Sequence, residues 1–364
     1  MDIAALKKEA KNRKTLAARL LELAKTPDPT VQYAVASHPN APVAALEYLS
    51  GHGKWTILKA VALNPNVSVT ILEKLAKHKQ FSVCLAVAQS RNTPVQLLEQ
   101  LAKHPDAEVR QAVTNHALCS DAIFTLLSQD LETYVRSAVA MSHACPVVVL
   151  EQLAYDPESP VRDMVACNAN VPTKELRILA TDPAAAVRAS SVDNLRRRGE
   201  VTLLLALTQD PAPEVRLKIA ELFIWVKEFH GQLVADSDEK IRQTLAEHHE
   251  LPLTLMAKFA NDPIDQIRLS IARREDQTKA IFEILLQDTN PDIRRALAYA
   301  RSSKLPEWVL ERLANDPHED VRYQVAYVGA VSDKILGQLS QDPSQEVRRT
   351  AEYTQQQRKS WTQT

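Results

Sequence analysis

Glycine is nearly missing from this chain, with 6 in 364 residues, and that alone removes several function classes. Phosphate-cradling loops of the GxxxxGK or GxGxxG type need glycine where the backbone approaches a ligand, and neither motif occurs; GxSxG and HExxH are absent as well. Aromatic residues make up only 5 %, while alanine and leucine abound, a balance that favours helices over a sheet. No apolar run approaches the ~20 residues of a membrane span. The opening MDIAALKKEAKNRK lacks the apolar core of a secretory signal, so a cytoplasmic chain without a membrane anchor is expected. The four cysteines, Cys84, Cys119, Cys145 and Cys167, have no CxxC spacing. Cys119 and Cys145 lie 26 residues apart, yet each is expected to fill a small buried site, not to join a disulfide. A net charge of −1 gives no bulk reason to bind nucleic acid.

What the chain has in abundance is itself. A hydrophobic residue followed by a polar one recurs at Val31, Ile57, Val83, Val109, Val135, Val161, Val187, Val215, Ile241, Ile267, Ile293, Val321 and Val347. The step is 26 everywhere except Val187 to Val215 and Ile293 to Val321, where it is 28. Such units bury their apolar faces only by stacking on their neighbours, which predicts an all-α solenoid, a superhelix of about thirteen two-helix repeats of armadillo or HEAT type. We expect one continuous body: capping helices over 1–24, repeats over 25–353 and a disordered polar tail over 354–364.

One unit, DPESPVRDMVACNANVPTKELRILATDP (156–183), resolves into two helices. Val161 and Val165 form one stripe, CNANVP interrupts it, and Pro172 opens a second helix whose inward face is Leu176, Leu179 and Ala180. Across copies the fifth residue after the marker is nearly always small, from Ala36 to Ala326, which lets helices approach closely.

These stretches resemble a known family. VQYAVASHPNAPVAALEYLS (31–50), VAQSRNTPVQLLEQLAKHPDAEVRQAV (87–113) and VRDMVACNANVPTKELRILATDP (161–183) are similar to the variant leucine-rich repeat, over roughly residues 20–353. The NPN-TP part of its pattern fades after about residue 195. The resemblance implies a ribbon of alternating helices, one of each pair short and 3₁₀-like, and an interaction scaffold with no settled common activity. Some members carry a cysteine cluster for iron–sulfur ahead of the repeats; here the first cysteine is Cys84, so no cluster is carried over.

Two polar columns are the most regular. One residue after the marker stand Arg110, Arg136, Arg162, Arg188, Arg216, Arg242, Arg268, Arg294, Arg322 and Arg348; five before it stand Asp130, Asp156, Asp182, Asp210, Asp236, Asp262, Asp288, Asp316 and Asp342. Six of the nine aspartates precede proline, which suggests Asp as helix N-cap and Pro as first helical residue. In early units the first column reads Gln32, Leu58 and Cys84, the second Thr26, His52, His78 and His104, and the two switch one unit out of step. Only inter-unit pairing matches every later copy: Arg110 to Asp130, Arg136 to Asp156, Arg162 to Asp182, Arg188 to Asp210, Arg216 to Asp236, Arg242 to Asp262, Arg268 to Asp288, Arg294 to Asp316 and Arg322 to Asp342. Such charge-assisted bonds would fix the stacking angle; the alternative is that the arginines track phosphates.

No catalytic residues, cofactor or metal site are expected. His52, His78 and His104 are one per unit, and helices stacked ~8–10 Å apart cannot bring them to one zinc, so they read as polar substitutes near a cap. Arg196-Arg197-Arg198-Gly199, in the first insertion, reads as a solvated turn or an anion grip. Charge drifts along the chain: residues 1–120 hold 15 Lys+Arg against 9 Asp+Glu, a surplus of six, and residues 121–240 hold 12 against 18, a deficit of six. At the sixth position after the marker the last copies turn aromatic. Arg273, Arg274, Tyr299, Arg301, Trp308, Tyr323, Tyr327 and Tyr353 make a candidate partner-binding cluster, unless the rings merely plug gaps between units. The expectation is a monomeric, non-catalytic scaffold that binds another protein or peptide in its groove. The rival is a nucleic-acid binder using the basic N-terminal third and the arginine clusters.

Overall fold

All thirteen marker residues are buried in the computed structural model, each within the first helix of its repeat. The structure describes residues 2–222, 227–248, 251–299, 305–328 and 331–361, and Trp225, His249 and Arg301 lie outside them. It is all-helical, with 27 helices and no strand among the described residues. The chain is an α-solenoid built of helix pairs.

The Ser159–Cys167 helix shows how one repeat is made. Val161, Val165 and Ala166 are buried, Asn168 caps the end in extended conformation, and the next helix, Thr173–Leu179, starts after Pro172 and buries Leu176 and Leu179. First helices of successive repeats pack on one another, as Thr133–Met141 does on both Ala107–Thr114 and Ser159–Cys167. Second helices stack likewise, as Val69–Leu75 does on Val43–His52. The result is two helical layers with the apolar columns between them. Most second helices are only seven residues long, but they are α-helices rather than the 3₁₀ turns the family resemblance implied.

Contacts group the helices into two compact units, Met1–Glu200 and Val201–Thr364, where the repeat pattern had suggested one body. The division falls in the first two-residue insertion. There the Ala185–Arg197 helix runs to 13 residues and the chain turns through Gly199 at φ 70, a left-handed conformation open to glycine at little cost. Arg198 is no solvated turn residue: its guanidinium donates to Thr173 Oγ1 and to the carbonyls of Ala169 and Val171. At the other end, the last helix continues from Gln345 to Trp361, through the segment read as a tail. Ala351 is fully buried and the Thr354 hydroxyl donates to Ala326 O, so this stretch is tied to the repeat before it.

Candidate functional site

Eight of the nine expected arginine–aspartate pairs fall within a single unit, and all eight lie in contact. Arg110 Nε and Nη2 meet Asp130 Oδ2 and Oδ1 at 2.6 and 2.8 Å, a bidentate fork. Arg136 with Asp156, Arg162 with Asp182, Arg216 with Asp236, Arg242 with Asp262, Arg268 with Asp288 and Arg322 with Asp342 do the same at Nε–Oδ2 distances of 2.6–2.7 Å. Arg294 reaches Asp316 at 2.7 Å across 22 residues instead of 20, because the second insertion falls between them. Arg188 and Asp210 belong to different units. Within its own, Arg188 donates to Asp182 O, and Asp210 Oδ1 accepts the Ala212 N–H.

Each arginine is used twice. Its Nη1 also donates to the backbone carbonyl six residues earlier, as Arg136 does to Asp130 O at 2.8 Å, so each guanidinium ties its own linker to the carboxylate of the following one. The aspartates are not N-caps. Asp156 Oδ1 accepts the N–H of Glu158, and the helix begins only at Ser159, past Pro157, so the carboxylate shapes the turn ahead of the helix. His78 and His104 do this with Nδ1 instead, accepting from Gln80 N and Asp106 N at 3.0 Å, which accounts for their place in the aspartate column. His52 departs from it, bonding Tyr48 O and stacking on that ring.

The ladder is desolvated: arginine side chains are 10–16 % exposed and their partners 4–6 %. Burial alone would raise Asp130, Asp182 and Asp236, but hydrogen bonds from Arg110, Arg162 and Arg216 and from backbone N–H groups outweigh it and hold those carboxyls below their ordinary range. At Asp342 the Arg322 bond is the largest influence, with the same outcome. In these eight pairs the guanidinium donors are committed inside the protein, whereas among the described residues Arg348 bonds only the carbonyls of Asp342 and Pro343.

A second ladder, unforeseen from the sequence, braces the opposite end of the first helices. Asn64 Nδ2 donates to Ala36 O and His38 O at 2.7 and 2.9 Å; Asn168 does so to Ala140 O and Ser142 O, and Asn194 to Ala166 O and Asn168 O. Asn66 and Asn92 grip neighbouring loop carbonyls. At Asn64, Asn168 and Asn194 a short amide donor satisfies carbonyls left open where the previous helix ends, and at His116 the ring nitrogen takes the same place against Ser90 O.

The proposed partner-binding cluster divides. Tyr299, Tyr327 and Tyr353 stand 73, 63 and 60 % exposed, the first two at the ends of their helices and Tyr353 midway along the last, so they do not plug gaps. Tyr323 is half-buried and stacks on Tyr327, with ring centroids 6.4 Å apart. Trp308 sits in the other layer, on the Glu307–Ala314 helix, edge-on to Phe282 at 6.1 Å with Lys279 over its face. Arg274 is occupied by Asp276 and by His248 O, the loop-bracing place that Asn168 holds elsewhere. Arg301 lies outside the described residues. What remains together is a cleft of about 740 Å³ across the Asp265–Ala272, Pro291–Tyr299 and Glu319–Tyr327 helices, lined by Arg273, Glu275, Asp292, Arg295, Tyr299 and Gln324 over Leu269 and Ala296. Arg295 pairs with Asp292 at 3.0 Å, both exposed.

Cys84, Cys119, Cys145 and Cys167 are free thiols, and burial pushes Cys119 and Cys145 up to about 12, well away from a reactive thiolate. No His, Cys, Asp and Glu grouping of metal-binding type occurs among the described residues, and no described helix is long and apolar enough to cross a membrane.

The chain is a helical repeat protein. It is similar to a solved structure titled a leucine-rich repeat variant with a novel repetitive protein structural motif, at 25 % identity over 60 % of this chain and 87 % of that one, with a TM-score of 0.48. An engineered protein aligns at 17 % identity over 97 % and 94 % of the two chains, TM-score 0.20. A structure describing Kap95p binding to RanGDP aligns at 13 % over 94 % of this chain and 56 % of that one, TM-score 0.33. No family model and no curated protein matches.

Proposed function

We propose that the chain is a non-catalytic, cytoplasmic and monomeric scaffold that binds another protein by accepting an extended peptide over the first helices of the Val201–Thr364 unit. The supporting observation is the 740 Å³ cleft, within the usual size of ligand sites, which offers an exposed tyrosine and two arginines on rigid helices.

Panning a displayed library of linear peptides against the full chain tests this. Selected peptides should lose about tenfold in affinity or more, ~1.4 kcal/mol, on Tyr299→Ala. If none depends on Tyr299 or Arg273, the proposal fails. A DNA probe that binds with affinity falling steeply and log-linearly with salt would instead move the function to the basic N-terminal residues.

A further inference from the structure

The sixth position after the buried marker reads, along the Val201–Thr364 unit, Glu221, Glu247, Arg273, Tyr299, Tyr327 and Tyr353. All six side chains are exposed, one per repeat, at the same position of successive first helices that pack on one another; the first five stand at or next to the helix end, and Tyr353 midway along the longer last helix. Helices packed this way set the rungs about 8–10 Å apart. The Arg273 guanidinium makes no hydrogen bond or ion pair among the described residues, and it shares one cleft with Tyr299.

Pitch decides which peptide conformation can meet every rung. A polyproline II helix returns to the same face every three residues, at about 9.3 Å, within the rung spacing. A β-strand returns every ~6.7 Å and slips past the middle rung. Two turns of α-helix span ~10.8 Å and overshoot, an error that doubles by the third rung. Aromatic rungs are the surface that proline rings stack on. Charge then fixes the remainder of the ligand: a carboxylate opposite Arg273 and cations opposite Glu247 and Glu221.

We propose that this column binds a polyproline II peptide bearing proline at three successive third positions, an acidic residue at the next and basic residues at the two after that. The inference rests on the peptide-binding role proposed above and names its ligand.

Synthetic peptides of this pattern, in both chain directions, would be titrated against the full chain by fluorescence anisotropy. A peptide of equal composition with proline at every second position serves as the control. One direction should bind at least tenfold more tightly than the control. Tyr327→Ala should weaken it about tenfold and Tyr327→Phe little, with circular dichroism confirming an unchanged fold. Arg273→Glu should weaken it too and be rescued by lysine at the peptide's acidic position. Equal binding of the control, or indifference to Tyr327→Ala, overturns the inference. If library peptides bind through Tyr299 while neither periodic peptide does, this inference falls and the broader role stands; if no peptide binds at all, both fall.

Discussion

The two units share one brick and one arginine–aspartate ladder but differ at the free end of their first helices. In Met1–Glu200 Asn64, Asn168 and Asn194 brace their loops and His38 and His116 brace two others, and the sixth-position column reads Ser37, Leu63, Gln89, Asn115, Met141, Cys167 and Asp193, with no cation and no ring. In Val201–Thr364 an arginine, Arg274, does the bracing at one loop, and the column becomes acidic, then basic, then aromatic. Leu63 and Met141 expose half or more of their surface, whereas the later unit displays Tyr299, Tyr327 and Tyr353. Buried columns must repeat because every unit packs on a copy of itself. A column that meets only solvent is free to vary, so divergence there is where a ligand can be selected.

Acid should break what the units have in common, and with the largest effect, because it acts on every rung at once. Asp130 and Asp182 in one unit and Asp236 and Asp342 in the other have folded values below the ordinary carboxylate range. The unfolded chain therefore binds protons first, so the ladder's contribution is complete above about pH 5 and is lost as pH falls through ~3.9 toward the folded values. Hydrogen exchange between pH 6 and 3 should show both units losing protection, while the repeats before Val109, which lack the ladder, change least. Uniform loss, including those early repeats, would mean that the ladder does not govern acid stability.

A single rung comes next. Asp156→Ala strands the buried Arg136 guanidinium and should cost about 3–5 kcal/mol locally, read as lost amide protection in the Thr133–Met141 and Ser159–Cys167 helices. Replacing both partners, Arg136→Met with Asp156→Leu, should recover most of it, because the penalty comes from the unpaired charge. A loss under ~1 kcal/mol would place this pair with exposed surface bridges.

The period of the buried column and the out-of-step switch of two polar columns were enough to read the helix pairs and the partners of the ladder. Three features were not legible. Asp156–Pro157 looks like a cap followed by a first helical residue, yet the helix waits until Ser159, because the Asp156 carboxylate must face Arg136 and close a turn as well. Trp308 seemed close to the tyrosines in sequence, but the two-layer alternation places it on a second helix and them on first helices. Arg274 looked like a binding arginine because composition cannot distinguish a guanidinium in solvent from one holding a neighbouring carbonyl.

The loop braces provide the smallest and most selective contrast. Asn168 Nδ2 lies between Ala140 O and Ser142 O, the first of these bonds fully buried, so Asn168→Ala leaves carbonyls without a donor and should cost about 1–3 kcal/mol. Arg274 donates to His248 O and pairs with Asp276, whose side chain is about half exposed. Asp276 can be solvated without Arg274, so Arg274→Ala should cost less than Asn168→Ala, about 1 kcal/mol. Chemical denaturation followed by hydrogen exchange at the two loops would measure both. Equal costs would mean that the two units brace their loops with the same strength, and the divergence between them would then be confined to the exposed column.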